Sequence, residues 1–266
     1  MDLSAGVERI LAPNPSLMTG PGTNTYLVTA PGTPGASCVV IDPGPNIESH
    51  LAAIVAAAAP HDVGQILVTH GHPDHIEGAP RLRELTGALI LAWSREGSPS
   101  ADATLADGDV VHVGERRLRA LHTPGHRFDH LCFLLEDAGA LFAGDLVAGV
   151  GTVVIAPPEG DLLDYMASLR RLLALDLQTI LPAHGPAIEQ PQALLAQYIA
   201  HREDRERQVL AGLANGPSTV AALVEGIYTD VDPKLHPVAA LSVTAHLQKL
   251  EREGRVAREG DRWRLI

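Results

Sequence analysis

The chain has 266 residues, 45% of them hydrophobic, with 20 Lys and Arg against 32 Asp and Glu, a net charge of −12 with histidine neutral. That length can bury one large core and leaves room for a small second domain. No apolar run approaches the roughly 20 residues that a membrane helix needs, so no membrane partner is expected, and an acidic surface discourages non-specific binding to phosphate polymers.

Residues 1–8 have neither a basic start nor an apolar core, so a signal peptide is not expected. Cys38 and Cys132 both lie in apolar, strand-like contexts and read as buried free thiols, which fits a cytoplasmic protein. Residues 51–59 form an alanine-rich helix closed by Pro60. The run Gln65-Ile66-Leu67-Val68-Thr69 reads as a buried strand, and a helix start follows from Ile76. Between them stands His70-Gly71-His72-Pro73-Asp74-His75. Pro73 cannot continue a strand ladder, so these side chains sit on a turn, where neighbours in sequence can fan out around one point. Neutral imidazole and carboxylate suit divalent zinc.

The same grammar recurs three times. Leu118-Arg119-Ala120-Leu121 leads to His122-Thr123-Pro124-Gly125-His126. Ala140-Leu141-Phe142-Ala143-Gly144 ends on Asp145, and Thr179-Ile180-Leu181-Pro182-Ala183 ends on His184. Each places an imidazole or carboxylate at the mouth of a buried strand, with Gly or Pro permitting a sharp turn. A single such residue would be as readily a cap or turn residue; repetition makes the metal reading. His50, His61, His112, His201, His236 and His246 lie away from such turns and read as surface or core, while His122 is a candidate to line the site.

The pattern His-x-His-x-Asp-His, followed by His126, Asp145 and His184, resembles the metallo-β-lactamase superfamily. The resemblance implies an α/β chain with a four-layer αββα sandwich and two zinc ions. It implies His70, His72 and His126 on the first zinc, Asp74, His75 and His184 on the second, and Asp145 bridging. A carboxylate bridge is the pattern of the hydrolase branches, where the secreted lactamases carry cysteine. Asn14-Pro15-Ser16-Leu17-Met18-Thr19, Gly22 to Val28, Thr123-Pro124-Gly125-His126 with Asp129-His130, and Gly149-Val150-Gly151-Thr152 are similar to the lactamase-β-2-like branch across essentially the whole chain. Arg127 and Ala183 depart from that branch, which often has Thr and Gly there; neither is a ligand position. Asn24, Arg127 and Thr152 are expected to contact substrate. Asp74 is expected to ligate and to orient the nucleophile. His130 is expected either to support a ligand or to approach the leaving group.

Helices are predicted for residues 165–175, for a connector opening at Pro191, and for residues 218–227 and 237–253, the last with Leu241, Val243, Leu247 and Leu250 as apolar positions and Gly254 as its stop. A hairpin around Glu259-Gly260-Asp261 closes the chain. Helices followed by a basic hairpin look like a winged helix, which divides the chain into a catalytic domain at 1–200 and a winged-helix-like domain at 201–266. Residues 1–200 carry 10 basic against 22 acidic residues, whereas residues 201–266 carry ten of each. Lys249, Arg255, Arg258, Arg262 and Arg264 could meet nucleic acid; the balanced charge favours a packing and homodimer-forming appendage.

Two metal ions sharing one water would lower its pKa towards neutrality and supply a bridging hydroxide, so the motif points to hydrolysis more firmly than to the bond cleaved. The branch resemblance implies an endoribonuclease, and a phosphodiester of single-stranded RNA is the favoured substrate. A small-molecule ester, thioester or lactone hydrolase is the alternative. A nucleic-acid-binding regulator with structural zinc is disfavoured, because structural zinc sites are closed by four protein ligands. The absence of lysine before Lys234 weighs against a polyanionic substrate.

Overall fold

A computed structural model describes residues 5–32 and 35–266. The reading of the N-terminus rests partly on residues 1–4, which lie outside the described residues. Among the described residues two compact units are present: 5–32, 35–123, 129–151 and 175–192 form one, and 124–128, 152–174 and 193–266 the other.

The first unit is built on β1 (Val7–Leu11), β2 (Asn24–Val28), β3 (Cys38–Ile41), α1 (Glu48–Ala58), β4 (Val63–Leu67), α2 (Pro73–Ile76), α3 (Ala79–Thr86), β5 (Leu89–Ala92), β6 (Ala103–Thr104), β7 (Val110–Val113), β8 (Arg116–His122), β9 (Leu131–Leu135), β10 (Ala140–Gly144) and β11 (Thr179–Pro182). Strands β1 to β6 form one sheet in sequence order, antiparallel from β1 to β3 and parallel from β3 to β6. The second sheet runs β11-β10-β9-β8-β7 and is antiparallel except between β10 and β11.

Alternation decides the layers. In β3, Val39 and Ile41 join Tyr26, Leu67, Phe133 and Phe142 in a core between the two sheets, while Cys38 and Val40 face the opposite way onto Leu51 and Ile54 of α1 and Leu82 of α3. Both cysteines are buried and free, as expected. The two sheets are joined at one edge: Asn24 N–H donates to Ala183 O at 2.7 Å, and Thr23 bridges to His184. The carboxyl ends of β3, β4, β10 and β11 therefore open near one another, and the predicted His and Asp turns follow them.

The second unit contains α4 (Leu162–Leu173), most of α5 (Pro191–Leu213), β12 (Ser218–Thr219), α6 (Val220–Ile227), a 3₁₀ turn (Pro233–Leu235), α7 (His236–Arg252), β13 (Val256–Glu259) and β14 (Arg262–Leu265). Helix α4 starts three residues before its predicted start because Asp161 caps it, accepting from the N–H groups of Leu163 and Asp164. Residues 218–219, predicted as helix, are instead an edge strand pairing with β14, and the Thr219 side chain caps α6 by accepting from Ala222 N–H. Val209, Leu213, Leu223, Val243, Leu247, Leu250, Val256 and Trp263 form a core of their own. Leu241, predicted as an apolar position of that core, is 38% exposed: a single residue off the buried stripe points α7's Leu241 to solvent.

Candidate metal centre

The centre grows from strand ends. After β4, the chain leaves the sheet at Thr69 and turns at Pro73, which starts α2 at its first position, where a missing N–H is harmless. This brings His70 Nε2 within 2.8 Å of His72 Nδ1. Gly71 N–H donates to Asp129 Oδ2 at 3.0 Å, pinning the turn between those two rings. His70, His72, His126 and Asp145 each offer a ligand atom, all within 4.8 Å of one another, and Asp74, His75 and His184 form a second group of the same kind. All seven predicted ligands fall into these groups.

Asp145 reaches towards the second group as well. Its Oδ1 lies 3.2 Å from His184 Nε2 and its Oδ2 3.6 Å from His75 Nε2. Asp74 Oδ2 lies 3.3 Å from His184 Nε2 and 3.5 Å from His75 Nε2, and it accepts from Thr23 Oγ1 at 3.1 Å.

Charges in so small a volume perturb each other. Burial pulls His184 down, but hydrogen bonds to Asp145 and Asp74 and the charge of Asp145 outweigh it and raise the ring to about 9. Burial likewise opposes protonation of His75, yet Asp145 and Asp42 hold it well above the usual imidazole range. Burial alone would raise the two carboxyls. The neighbouring imidazoles reverse this, taking Asp74 down to about 2 and Asp145 well below the usual carboxylate range. Carboxylates and imidazolium protons thus compensate one another, as expected of a cluster built for a cation.

The donor set fits a divalent metal. His75 is fully buried, and its Nε2 has no hydrogen-bond partner among the described residues, although it faces two carboxylates. Its other nitrogen lies 2.8 Å from Asp42 Oδ2. One ring nitrogen held by an outer carboxylate and the other left for an ion is the arrangement in which metal-ligating histidines are fixed.

Asp42 was not singled out in the sequence. It adopts φ 50°, the positive-φ conformation that Asp tolerates better than most side chains. From there Oδ1 accepts from Thr69 N–H at 2.8 Å, and Oδ2 accepts from Thr69 Oγ1 at 2.7 Å as well as meeting His75. The signal was present: Cys38-Val39-Val40-Ile41 is an apolar strand ending on Asp42-Pro43-Gly44, the same grammar as the other site turns.

Two predicted site residues have other tasks. His130 is fully buried. Its Nε2 accepts from Asp145 N–H at 3.1 Å, which leaves the ring proton on Nδ1, 2.9 Å from Thr123 Oγ1. It holds the Asp145 backbone. Gly144 makes room for this ring: a Cβ there would lie 2.6 Å from His130 Nε2. Asn24, expected to contact substrate, is 1% exposed, and its amide donates to Pro182 O and Gly185 O at 2.9 Å each. It positions the His184 turn. Thr152 is exposed and accepts from Arg202. Arg127 pairs with Glu159 at 3.3 Å and lies over the Phe128 ring. His122 stacks on Trp93 with ring centroids 3.5 Å apart.

The cations assigned to the winged helix are largely paired. Lys249 is buried between Glu206 (2.5 Å) and Glu253 (2.8 Å), Arg255 pairs with Glu206 at 3.0 Å, and Arg264 with Glu259 at 2.5 Å. No helix among the described residues is long and apolar enough to cross a membrane.

Comparison with known proteins agrees with this geometry. Residues 18–184 match the metallo-beta-lactamase superfamily, and residues 219–263 match the beta-lactamase associated winged helix domain. The beta-lactamase-like protein 2 homolog of Drosophila melanogaster is 33% identical over 97% of this chain and 93% of its own. The atrochrysone carboxyl ACP thioesterase of Aspergillus fumigatus is 38% identical over 85% of this chain and 74% of its own. The crystal structure of a beta-lactamase domain protein from Burkholderia ambifaria superposes with a TM-score of 0.83 at 23% identity, covering 100% of this chain and 93% of that one, and shows the fold. The chain belongs to the metallo-beta-lactamase superfamily of hydrolases and carries a C-terminal winged helix.

Proposed function

We propose that the protein is a two-metal hydrolase, with zinc as the metal, acting on a small thioester or related ester. The observation that carries the reading is the pair of ligand groups, three donors in one and four in the other, with Asp145 reaching both. His70, His72 and His126 would hold one ion, Asp74, His75 and His184 the other, with Asp145 between them. Zinc in such a site lowers the pKa of water towards neutrality and polarises the substrate oxygen.

The chain's own residues supply position and proton handling. Asp42 fixes the His75 ring, and His130 fixes the Asp145 backbone. Thr23 aims Asp74, whose side chain is 27% exposed and so open to water. Asp74 is therefore the group placed to orient an attacking water by accepting its hydrogen bond. The chain's thiols take no part as nucleophiles: both are buried, and burial pushes Cys38 up to about 11.

Two findings support a small acyl substrate over a polyanion. The winged-helix cations Lys249, Arg255 and Arg264 are neutralised by carboxylates, and a relative at 38% identity is named a thioesterase. RNA cleavage, which the lactamase-β-2-like resemblance implies, is the second reading. What favours it is that Arg258 and Arg262 have no carboxylate partner among the described residues.

The test is turnover by the zinc-loaded full chain of acyl thioesters, esters and lactones beside labelled single-stranded RNA over a range of salt. Thioester or ester turnover with intact RNA is the expected result. RNA cleavage that weakens and loses salt dependence when Arg255, Arg258, Arg262 and Arg264 are neutralised would replace it with the second reading.

A further inference from the structure

The second unit carries a solvent-open cavity of about 290 Å³ lined by parts of α4, α5, α7 and the turn before β13. Its lining is net cationic, five Arg and Lys against Glu203 and Glu206, in a chain whose net charge is −12. Several of these charges are answered locally. Lys249 and Arg255 share Glu206, and Arg170 meets Glu203 at 3.0 Å. Arg202 is different. It is 4% exposed and has no carboxylate partner among the described residues. Its Nη2 donates to Thr152 Oγ1 and Val153 O, and its buried Nε has no acceptor among the described residues.

His246 lines the same cavity and is 1% exposed, and neither of its ring nitrogens has a hydrogen-bond partner among the described residues. Burial, with Arg202, Lys249 and Arg205 nearby, takes this ring down to about 3. It is therefore a neutral imidazole with one N–H to donate. A buried guanidinium without a counter-charge and a buried imidazole without partners are both costly unless something answers them. Arg202 also lies over the Tyr165 ring, 5.4 Å from its centroid, but a negative partner that accepts from several directions would answer both groups. A tetrahedral oxyanion does this; a planar carboxylate presents only two oxygens.

We propose that this cavity binds a small phosphate-class oxyanion, with Arg202 and His246 as its buried donors. The volume exceeds that of a bare phosphate, so the class includes small phosphate monoesters. The site is separate from the metal ligands and does not depend on the substrate proposed above.

The probe is inorganic phosphate, titrated into the zinc-loaded, ¹⁵N-labelled full chain at constant ionic strength and followed by long-range imidazole ¹H–¹⁵N correlations. The His246 ring signals, assigned with His246→Gln, should shift saturably to one equivalent. Arg202→Met should weaken binding at least about tenfold, the loss of roughly one charge-assisted hydrogen bond, and Arg202→Lys should restore part of it. Shifts confined to the metal-site imidazoles, or a His246 ring that does not respond, would overturn the proposal. So would equal affinity in Arg202→Met and the parent. Should Arg202→Met fail to fold, the response of His246 in the unaltered chain decides alone.

Discussion

The metal centre and the cavity of the second unit are both dense in titratable groups, but they balance charge in opposite ways. In the metal centre, Asp74 and Asp145 stand among imidazoles, and the rings hold protons that a cation would displace. In the cavity, Arg202 is buried without a carboxylate partner among the described residues, and His246 is kept neutral by its burial and then by its cationic neighbours. The first arrangement is pre-organised for positive charge and the second for negative. The difference teaches that the sign of a missing ligand can be read from which buried groups remain uncompensated, not from how many ionisable groups are present.

The largest effect expected is at Asp145, which reaches both ligand groups. Asp145→Ala should lose metal and activity together, exceeding the roughly 10- to 100-fold loss typical of an outer partner. Metal analysis of the purified variant beside its kcat/KM checks this, and an unaffected metal content would remove the bridging role. Trp263→Ala probes the other region. The ring is 4% exposed in the core of the winged helix, so the second unit should lose about 3–5 kcal/mol, read from denaturant unfolding. Metal content should hold.

Asp42→Asn sharpens the metal side. It keeps the shape but removes the charge that fixes His75, so metal affinity should fall roughly 10- to 100-fold, measured by competition with a chelator. The smallest effect is on pH. In the metal-free chain, His184 is raised from an ordinary 6.5 to about 9, so the folded state binds that proton more tightly than the unfolded state does. The stabilisation is fully present below about pH 6.5 and is lost as pH rises through 9. The Tm of the metal-free chain should therefore fall across that window, whereas the zinc-loaded chain, its ring already deprotonated by ligation, should not show this component.

The two regions were also unequally legible in the sequence. The metal ligands were visible because each ends an apolar strand beside Gly or Pro, and six residues hold four of them. Asp42 obeys the same rule but stands alone before Pro43-Gly44, so nothing nearby marked it out. The burial of Asn24 and His130 could not be read, because whether a polar side chain faces substrate or spends itself on a neighbouring turn depends on contacts such as Asn24 to Gly185, far apart in sequence. The cavity was invisible for the same reason. Arg202 opens the charged run Arg202-Glu203-Asp204-Arg205-Glu206-Arg207, a composition typical of a solvated helix face, and His246 reads as a surface or core residue. Only the packing of α4, α5 and α7 brings them to one cavity. Likewise Ser218-Thr219 became a strand because β14 offered an edge, a partner more than forty residues away.

The most direct test of the central claim is to strip the chain with chelator and restore zinc stepwise while following turnover of an acyl thioester. Activity should vanish on stripping and return to a plateau at two zinc equivalents per chain. Full turnover after exhaustive chelation, or a plateau at one equivalent that Asp145→Ala leaves unchanged, would contradict a two-metal hydrolase.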